Sequence, residues 1–431
     1  MATSFSSDEL QTMAAPLERA LVPFMRRFPG SAGERQPVHT VYGGAHLFRH
    51  DTTRKLGEKA VSILGEHGVD PFVFARAIGV DDARAETVWQ RVAEKLGREP
   101  VEDFRVDFED GYGNRPDEEE DRQAEIVARE LAAGMEAGTL PPFIGIRIKP
   151  FSQELLRRGL RTMDIVLTTL VQATGGALPA NFVVTLPKIQ LPEQVTLLAD
   201  VFDELEPRLG LPSNSLRLEF MIETTQSILS EDGRSNLPLF LDAARGRAVA
   251  AHFGTYDYTA SCNITAAEQR MDHPACDFAR HMMQVAYSGT GLWLSDGATN
   301  ILPIGDRDTI HRAWKLHVEH VRHSLVHAYY QGWDLHPAQL PTRYAAVYDF
   351  FLSGLTAATE RLRNFMEKAG QATLVGDVFD DAATGQGLLN YFIRGMNSGA
   401  LTEEEALATG LTLEELRSRS FVKILAGRRS R

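Results

Sequence analysis

Eight short apolar or alternating runs, each followed by polar residues or glycine and then by a helical pattern, constrain this chain more than any other feature. They occupy residues 38–43, 104–110, 143–149, 182–188, 216–223, 249–254, 291–296 and 332–336. Runs of this kind read as strands. Strands alternating with helices predict parallel pairing through right-handed crossovers, and eight such units close a (β/α)8 TIM barrel of the α/β class. An open doubly wound sheet is the alternative arrangement. A barrel takes roughly 250 residues, so a chain of 431 residues has room for one large decorated domain.

The additions are legible in outline. Residues 1–37 carry Leu10, Met13, Leu17, Leu21 and Phe24 at the three-to-four spacing of an amphipathic helix, which Pro29 and Gly30 end. The barrel is read over 38–340. Residues 64–99, between the first two strands, hold more helix than a crossover needs and read as an inserted helical cap. A C-terminal helical extension fills 341–431, with helix over 343–369 and capping boxes at Thr402/Glu405 and Thr412/Glu415. The stripe Tyr344, Val347, Phe351 and Leu355 needs a surface to cover it, either the chain's own barrel or another subunit.

Composition narrows the function classes. Hydrophobic residues at 43% and charged residues at 24% are those of a soluble globular protein. A formal charge of -13 argues against nucleic-acid binding, which calls for a basic face. Two cysteines, Cys262 and Cys276, make no disulfide framework, and the first residues show no secretory pattern. No apolar run approaches membrane-spanning length. The expectation is a cytoplasmic protein without nucleic-acid or membrane partners.

Barrel chemistry sits at the C-terminal ends of the strands. Here those ends carry Asp107, Glu109 and Asp110; Arg147 and Lys149; Lys188; Glu223; Asp257; Asp296; and His336. Several carboxylates converging with few cations describe a site for a hard cation such as magnesium or manganese, which prefers oxygen ligands. Glu223 and Asp257, each following an apolar run, are the best ligand candidates. Glycines Gly43 and Gly44 follow the first strand, where bare backbone could approach a phosphate beside His39, His46 and Arg49. His317, His320, His323 and His327 have helical spacing and read as a solvated or subunit-facing helix side. The acidic run 117–121 reads as an exposed helix start.

Six motifs in order resemble the citrate lyase β-subunit and HpcH/HpaI aldolase superfamily, a group of phosphoenolpyruvate/pyruvate-domain barrels. They are Asp107-Phe-Glu-Asp-Gly, Arg147-Ile-Lys, Leu186-Pro-Lys188, Ile222-Glu-Thr, Phe253-Gly-Thr-Tyr-Asp257-Tyr and His336-Pro-Ala-Gln339. Asp-Phe-Glu-Asp and the segment 254–261 are also distantly similar to malate synthase. The resemblance implies that Glu223 and Asp257 bind magnesium and that Arg147 contacts a substrate carboxylate or carbonyl. Lys149 stands where the family commonly has Asn. The chemistry of an enolate reaction at such a metal has Asp107, Glu109 and Asp110 hold metal-bound waters and orient Arg147 or Lys188. Lys188 as a Schiff-base former is the minor option beside a metal. Asp380 and Asp381, in a Gly376-Asp-Val-Phe-Asp-Asp segment, resemble an acid or base that reaches a neighbouring subunit, which implies a homo-oligomer, a trimer or hexamer.

The activity implied is a carbon–carbon lyase or aldolase acting through an enolate on a short 2-oxo or 3-hydroxy acid, free or as its coenzyme A thioester. A malate synthase-like condensation using glyoxylate and a non-catalytic barrel that only binds are the alternatives.

Overall fold

Strands that pair in parallel and bury both faces need apolar runs on the outside and small or mutually satisfied groups inside. The computed structural model, which describes residues 3–30, 33–367, 373–375, 378–380, 382–418 and 420–429, meets that demand with a closed barrel. Its strands are β1 (His39–Gly44), β2 (Asp103–Asp107), β3 (Phe143–Arg147), β4 (Phe182–Leu186), β5 (Arg217–Ile222), β6 (Ala248–Phe253), β7 (Trp293–Ala298) and β8 (Gln331–Asp334). Each pairs in parallel with the next, and β8 returns to β1. The register sets Gly44 beside Asp107, and Asp107 beside Arg147.

The helices run in chain order. α1 (Ser7–Arg27) precedes the barrel; α2 (Thr52–Ile63), α3 (Pro71–Ile78) and α4 (Ala85–Arg98) lie between β1 and β2. α5 (Asp117–Ala137), α6 (Leu156–Thr174) and α7 (Pro192–Leu209) follow β2, β3 and β4. The short α8 (Thr225–Ile228) and α9 (Leu237–Ala243) follow β5, and α10 (Thr255–Ser261) and α11 (Pro274–Tyr287) follow β6. α12 (Arg307–Val326) joins β7 to β8, and α13 (Leu340–Glu367) leaves β8. A hairpin of β9 (Thr373–Val375) and β10 (Val378–Asp380) leads to α14 (Ala382–Asn397), α15 (Glu403–Leu407), α16 (Leu413–Ser418) and α17 (Phe421–Arg429). No helix among the described residues is long and apolar enough to cross a membrane.

The extra helices between β1 and β2 begin and end on local chemistry. Asp70 caps the backbone N–H groups of Phe72 and Val73, Pro71 opens α3, and Gly79 closes it at a φ of 75°. α3 packs on α4 and α12, and α4 on α2 and α13. Phe74 meets Trp89 and Trp314 edge-on at centroid distances of 5.7 and 5.4 Å.

Several expectations are corrected. Tyr344, Val347 and Phe351 are buried in the chain's own core, against α4, α12 and α14, so that stripe calls for no partner. His317 and His320 are buried as well: His317 bonds Asp334 and Thr342, and His320 bonds Thr299. The acidic helix start holds a buried Glu120 that pairs with Lys149 and accepts from Thr162. α1, by contrast, buries none of its residues and leaves Leu10, Met13, Leu17, Leu21 and Phe24 exposed. Both C-terminal capping boxes form, through Thr402 with Glu405 and Thr412 with Glu415.

Phe74→Ala should detach α3 from its aromatic neighbours and cost about 3–5 kcal/mol, the range for emptying a buried aromatic site. Chemical denaturation of the variant beside the parent protein checks it; a loss under about 1 kcal/mol would mean that the inserted helices are not part of the cooperative fold.

Candidate active site

The inward side of a strand repeats every second residue. On β2 that face carries Asp103, Arg105 and Asp107, and on β5 it carries Glu219 and Met221 and runs on to Glu223. The lower charges are hydrogen-bonded to one another inside the barrel. Arg105 pairs with Asp103 and Glu219, Thr185 donates to Glu219, and His252 stands 2.9 Å from the same carboxylate. Tyr42, Met221, Ala298 and Trp333 form a small apolar layer above. The next step along the strands opens the site.

Asp107 ends β2 with both oxygens engaged. Oδ1 accepts the Glu109 N–H at 2.9 Å and Oδ2 accepts the Gly111 N–H at 2.8 Å, which folds the following loop back over the strand. Arg147, ending β3, adds a two-pronged pair, with Nε at 2.7 Å from Oδ1 and Nη2 on Oδ2. Its guanidinium lies over the Tyr42 ring at 4.9 Å. Burial pushes the Asp107 carboxyl pKa up, but the Arg147 charge and these N–H groups outweigh it and leave it lowered.

Gly43 and Gly44 make room for neighbours of β1. A Cβ on Gly44 would lie 2.2 Å from the Gly111 carbonyl oxygen, and one on Gly43 would lie 2.5 Å from the Phe104 ring. A Cβ on Gly111 would lie 2.6 Å from Asp107 Oδ2. Gly44 and Gly111 therefore let the loop after β2 close onto the end of β1, while Gly43 makes room for the Phe104 ring.

The loop presents Glu109 inward and Asp110 outward. Glu109 reaches Arg147 Nη1 at 3.0 Å and Lys188 Nζ at 2.6 Å. The Asp110 side chain is 62% exposed and stands 3.5 Å from Lys188. Lys188 lies two residues past β4 in the left-handed region, with a φ of 50°. That conformation is costly for a residue with a side chain. It lets one residue serve twice: its backbone N–H donates to Glu223 Oε1 at 2.7 Å, while its ammonium reaches Glu109 and, at 3.3 Å, Asp257. Burial disfavours the Lys188 charge, but Glu223, Glu109 and Asp110 together raise its pKa, so it stands as an ammonium.

Glu223 follows β5 directly and is 1% exposed. Gly254 makes room for it, since a Cβ there would lie 2.5 Å from Glu223 Oε2. Burial, and then repulsion from Glu109 and Asp257, push its pKa well above the usual carboxylate range against the pull of Lys188 and Arg147. Glu109 is raised too, by burial first, with Arg147 and Lys188 opposing. Asp257 is four residues beyond β6, in the first turn of α10, with its side chain 39% exposed; it does not end a strand as the sequence suggested. In all, five carboxyl groups, Asp107, Glu109, Asp110, Glu223 and Asp257, face two cations, Arg147 and Lys188. An all-oxygen cluster with more carboxyl groups than cations and a buried, protonation-prone Glu223 has the donor chemistry of a hard divalent cation, with its carboxylates spread around Lys188 and no three of them within 4.8 Å of one another.

The remaining sequence candidates fall elsewhere. Lys149 Nζ donates to the Phe108 and Gly113 carbonyls and pairs with Glu120, so it braces the loop after β2. Asp296 is inside β7, not at its end, and is buried against Arg280 and Ser324. His336 caps the short turn Pro337–Gln339 by accepting the Ala338 N–H at 3.2 Å. Burial, then the Lys59 charge, lower its pKa, and none of its hydrogen bonds joins it to the Arg147–Lys188 network. Asp380 pairs with Thr373 in the β9–β10 hairpin, and Asp381 lies outside the described residues. Tyr42, Gly111 and Gly254 were missed; the period-two charges of Asp103-Phe-Arg-Val-Asp107 are the signal that inward faces are polar.

The family described as a domain of unknown function, DUF6986, matches residues 17–424. The chain belongs to that family. A citrate lyase from Burkholderia xenovorans LB400 shares the fold with a TM-score of 0.58 at 19% identity, covering 87% of this chain and 97% of that one. Malate synthase from Haloferax volcanii, in a magnesium/glyoxylate complex, superposes with a TM-score of 0.47 at 16% identity, over 90% of this chain and 96% of that one. No curated protein matches this chain.

The two buried carboxylates have opposite pH signatures. Asp107, lowered, contributes stability that is complete above the ordinary carboxylate pKa and is lost as pH falls through its folded value. Glu223, raised, costs stability as pH rises from the ordinary carboxylate pKa through its folded value. Glu223→Gln should therefore stabilise the metal-free protein at neutral pH, by about 0.5–2 kcal/mol, and flatten the pH slope. Asp107→Asn should destabilise it by about 3–5 kcal/mol, by leaving Arg147 buried and unpaired. Thermal midpoints against pH check both; a destabilised Glu223→Gln would remove the strain assigned to that carboxyl.

Proposed function

We propose that this chain is a magnesium-dependent carbon–carbon lyase of the aldolase and citrate lyase type, with manganese as a substitute ion. The substrate class is a short 2-oxo or 3-hydroxy acid, free or as its coenzyme A thioester. The observation that carries the reading is the excess of carboxylate over cation around Lys188, with Glu223 buried and raised in pKa beside Asp257. Glu223 and Asp257 are the residues to hold the ion, with Glu109 close by. Bound there, magnesium would supply Lewis-acid stabilisation of the negative charge that develops on the substrate carbonyl oxygen.

The chain's own groups do the rest. An arginine has five N–H donors; Asp107 takes one on Nε and one on Nη2, and Glu109 only stands 3.0 Å from Nη1, so the Nη1/Nη2 edge of Arg147 remains to bind a substrate carboxylate two-pronged. Asp107 holds that fork in plane. Lys188, fixed as an ammonium, balances Glu109 and Asp257 and has no free amine for a Schiff base. Asp110, at the exposed rim, is placed to exchange a proton with solvent. A homo-oligomer, trimer or hexamer, belongs to the same proposal, with Asp380 or Asp381 as the group offered to a neighbour; the uncovered apolar face of α1 supports association.

The test is turnover by the full chain with magnesium against oxaloacetate, malyl-type thioesters, and glyoxylate with acetyl-coenzyme A, read by mass spectrometry. Cleavage of an acid or thioester is the result expected; condensation alone would move the assignment to the malate synthase type, and magnesium binding without turnover to a binding module. Arg147→Lys should keep magnesium binding and lose about 10²–10³-fold in kcat, the loss on removing one such donor. Normal turnover in that variant would make Arg147 a structural residue.

A further inference from the structure

The helices that precede and follow β7 face one another on the outer wall of the barrel, and each carries metal-ligating side chains one turn apart. Asp277 and His281 stand on α11; His323 is in the last turn of α12, and His327 is its C-cap. Asp277, His323 and His327 bring one ligand atom each to within 4.8 Å of one another, all three half-buried. None of them belongs to the strand-end cluster.

The hydrogen bonds prepare the two imidazoles. His327 Nδ1 lies 2.8 Å from the His323 carbonyl oxygen, an acceptor, so Nδ1 carries the hydrogen and Nε2 keeps its lone pair. His323 Nε2 stands 2.8 Å from Asp277 Oδ1, an oxygen that also accepts from Arg280 Nη2. In the absence of a metal, Nε2 carries a hydrogen and shares that oxygen with the guanidinium; a bound cation would replace the Nε2 hydrogen and take the same lone pairs. Arg280 does not depend on Asp277 for its charge, because Nη1 holds the buried Asp296 at 2.9 and 3.1 Å.

We infer that Asp277, His323 and His327 form a binding site for a transition-metal ion of the zinc type, clamping α11 to α12. Two imidazoles and a carboxylate suit zinc and exclude magnesium, which takes oxygen ligands. His281 is the candidate fourth ligand: it stands outside the group of three, exposed, with its ring 5.5 Å from that of His327. The clamp spans β7, since Arg280 joins the site to Asp296 within that strand.

Calorimetry of the full chain with zinc chloride, in saturating magnesium, tests the site. The parent protein should bind one equivalent and show a raised thermal midpoint; a His323→Ala/His327→Ala variant should lose both effects. His327→Gln, which keeps the side chain's bulk, should weaken zinc by about tenfold or more and guards against a folding defect in the double variant. Glu223→Gln/Asp257→Asn should keep the zinc equivalent. Absence of binding in the parent protein, unchanged stoichiometry in the histidine variants, or loss of zinc in the Glu223/Asp257 variant instead, would each overturn the site.

Discussion

The Asp107–Arg147 pair is the interaction on which the mouth of this barrel depends. Each charge taken from water costs several kcal/mol, and mutual attraction offsets this only when the remaining lone pairs are satisfied. Asp107 meets the condition with two backbone N–H groups and two guanidinium N–H groups. The partners stand side by side in register, so the pair forms as soon as β2 and β3 align. Its backbone half needs the loop after β2 to fold back within touching distance of β1, which only glycine at positions 44 and 111 permits. Strand register, loop path and side-chain charge are thus one constraint.

From that pair the electrostatics run outward in one direction. Arg147 is anchored by Asp107 and reaches Glu109; Glu109 reaches Lys188; Lys188 reaches Asp257 with its ammonium and Glu223 with its backbone. The compensation thins along the way: Glu109 Oε2 has no hydrogen bond among the described residues although Arg147 stands 3.0 Å away, and Glu223 is buried with one backbone donor and carboxylates for neighbours. Below the apolar layer of Tyr42, Met221, Ala298 and Trp333, the same strands carry a network in which Arg105 bonds both Asp103 and Glu219. Paired carboxylates within the barrel and a raised, poorly compensated Glu223 at its mouth are the pattern expected where fold stability is given up for a site.

Much of this was legible before any coordinates. The run-and-helix rhythm gives the eight strands, and the strand-end rule gathers Asp107, Glu109, Arg147, Lys188 and Glu223, all of which meet. What escaped the sequence is what local pattern does not encode. Asp257 reaches the cluster from a helix turn because the chain bends at Gly254, not from a strand end. Asp296 looked like a strand-end carboxylate, but β7 runs on to Ala298 and Arg280 from α11 claims it. Lys149 shares a motif with Arg147, yet it lies two residues past the end of β3 and its ammonium is taken by the loop carbonyls of Phe108 and Gly113 and by Glu120. The histidines of α12 divide by helical phase: His317 and His320 join Trp314 and Val321 on the buried side, and His323 and His327 turn toward α11.

Lys188 shows how little freedom the site retains. A lysine in an ordinary extended conformation could offer its ammonium to Glu109 or its N–H to Glu223, but the two carboxylates approach from different strands. The left-handed turn at a φ of 50° resolves this by directing the N–H to β5 and the side chain across the mouth to the loop after β2. The strain of that backbone is offset by charge-assisted bonds at both ends. In the proposed reading, a divalent ion at Glu223 and Asp257 competes with this ammonium for the same carboxylates, since Asp257 is within 3.3 Å of Nζ. Such competition moderates affinity, and it also keeps the carboxylates close together when no other cation is present. The lysine thereby acts as an internal counter-ion, and the geometry of the mouth is set by the chain before a ligand arrives.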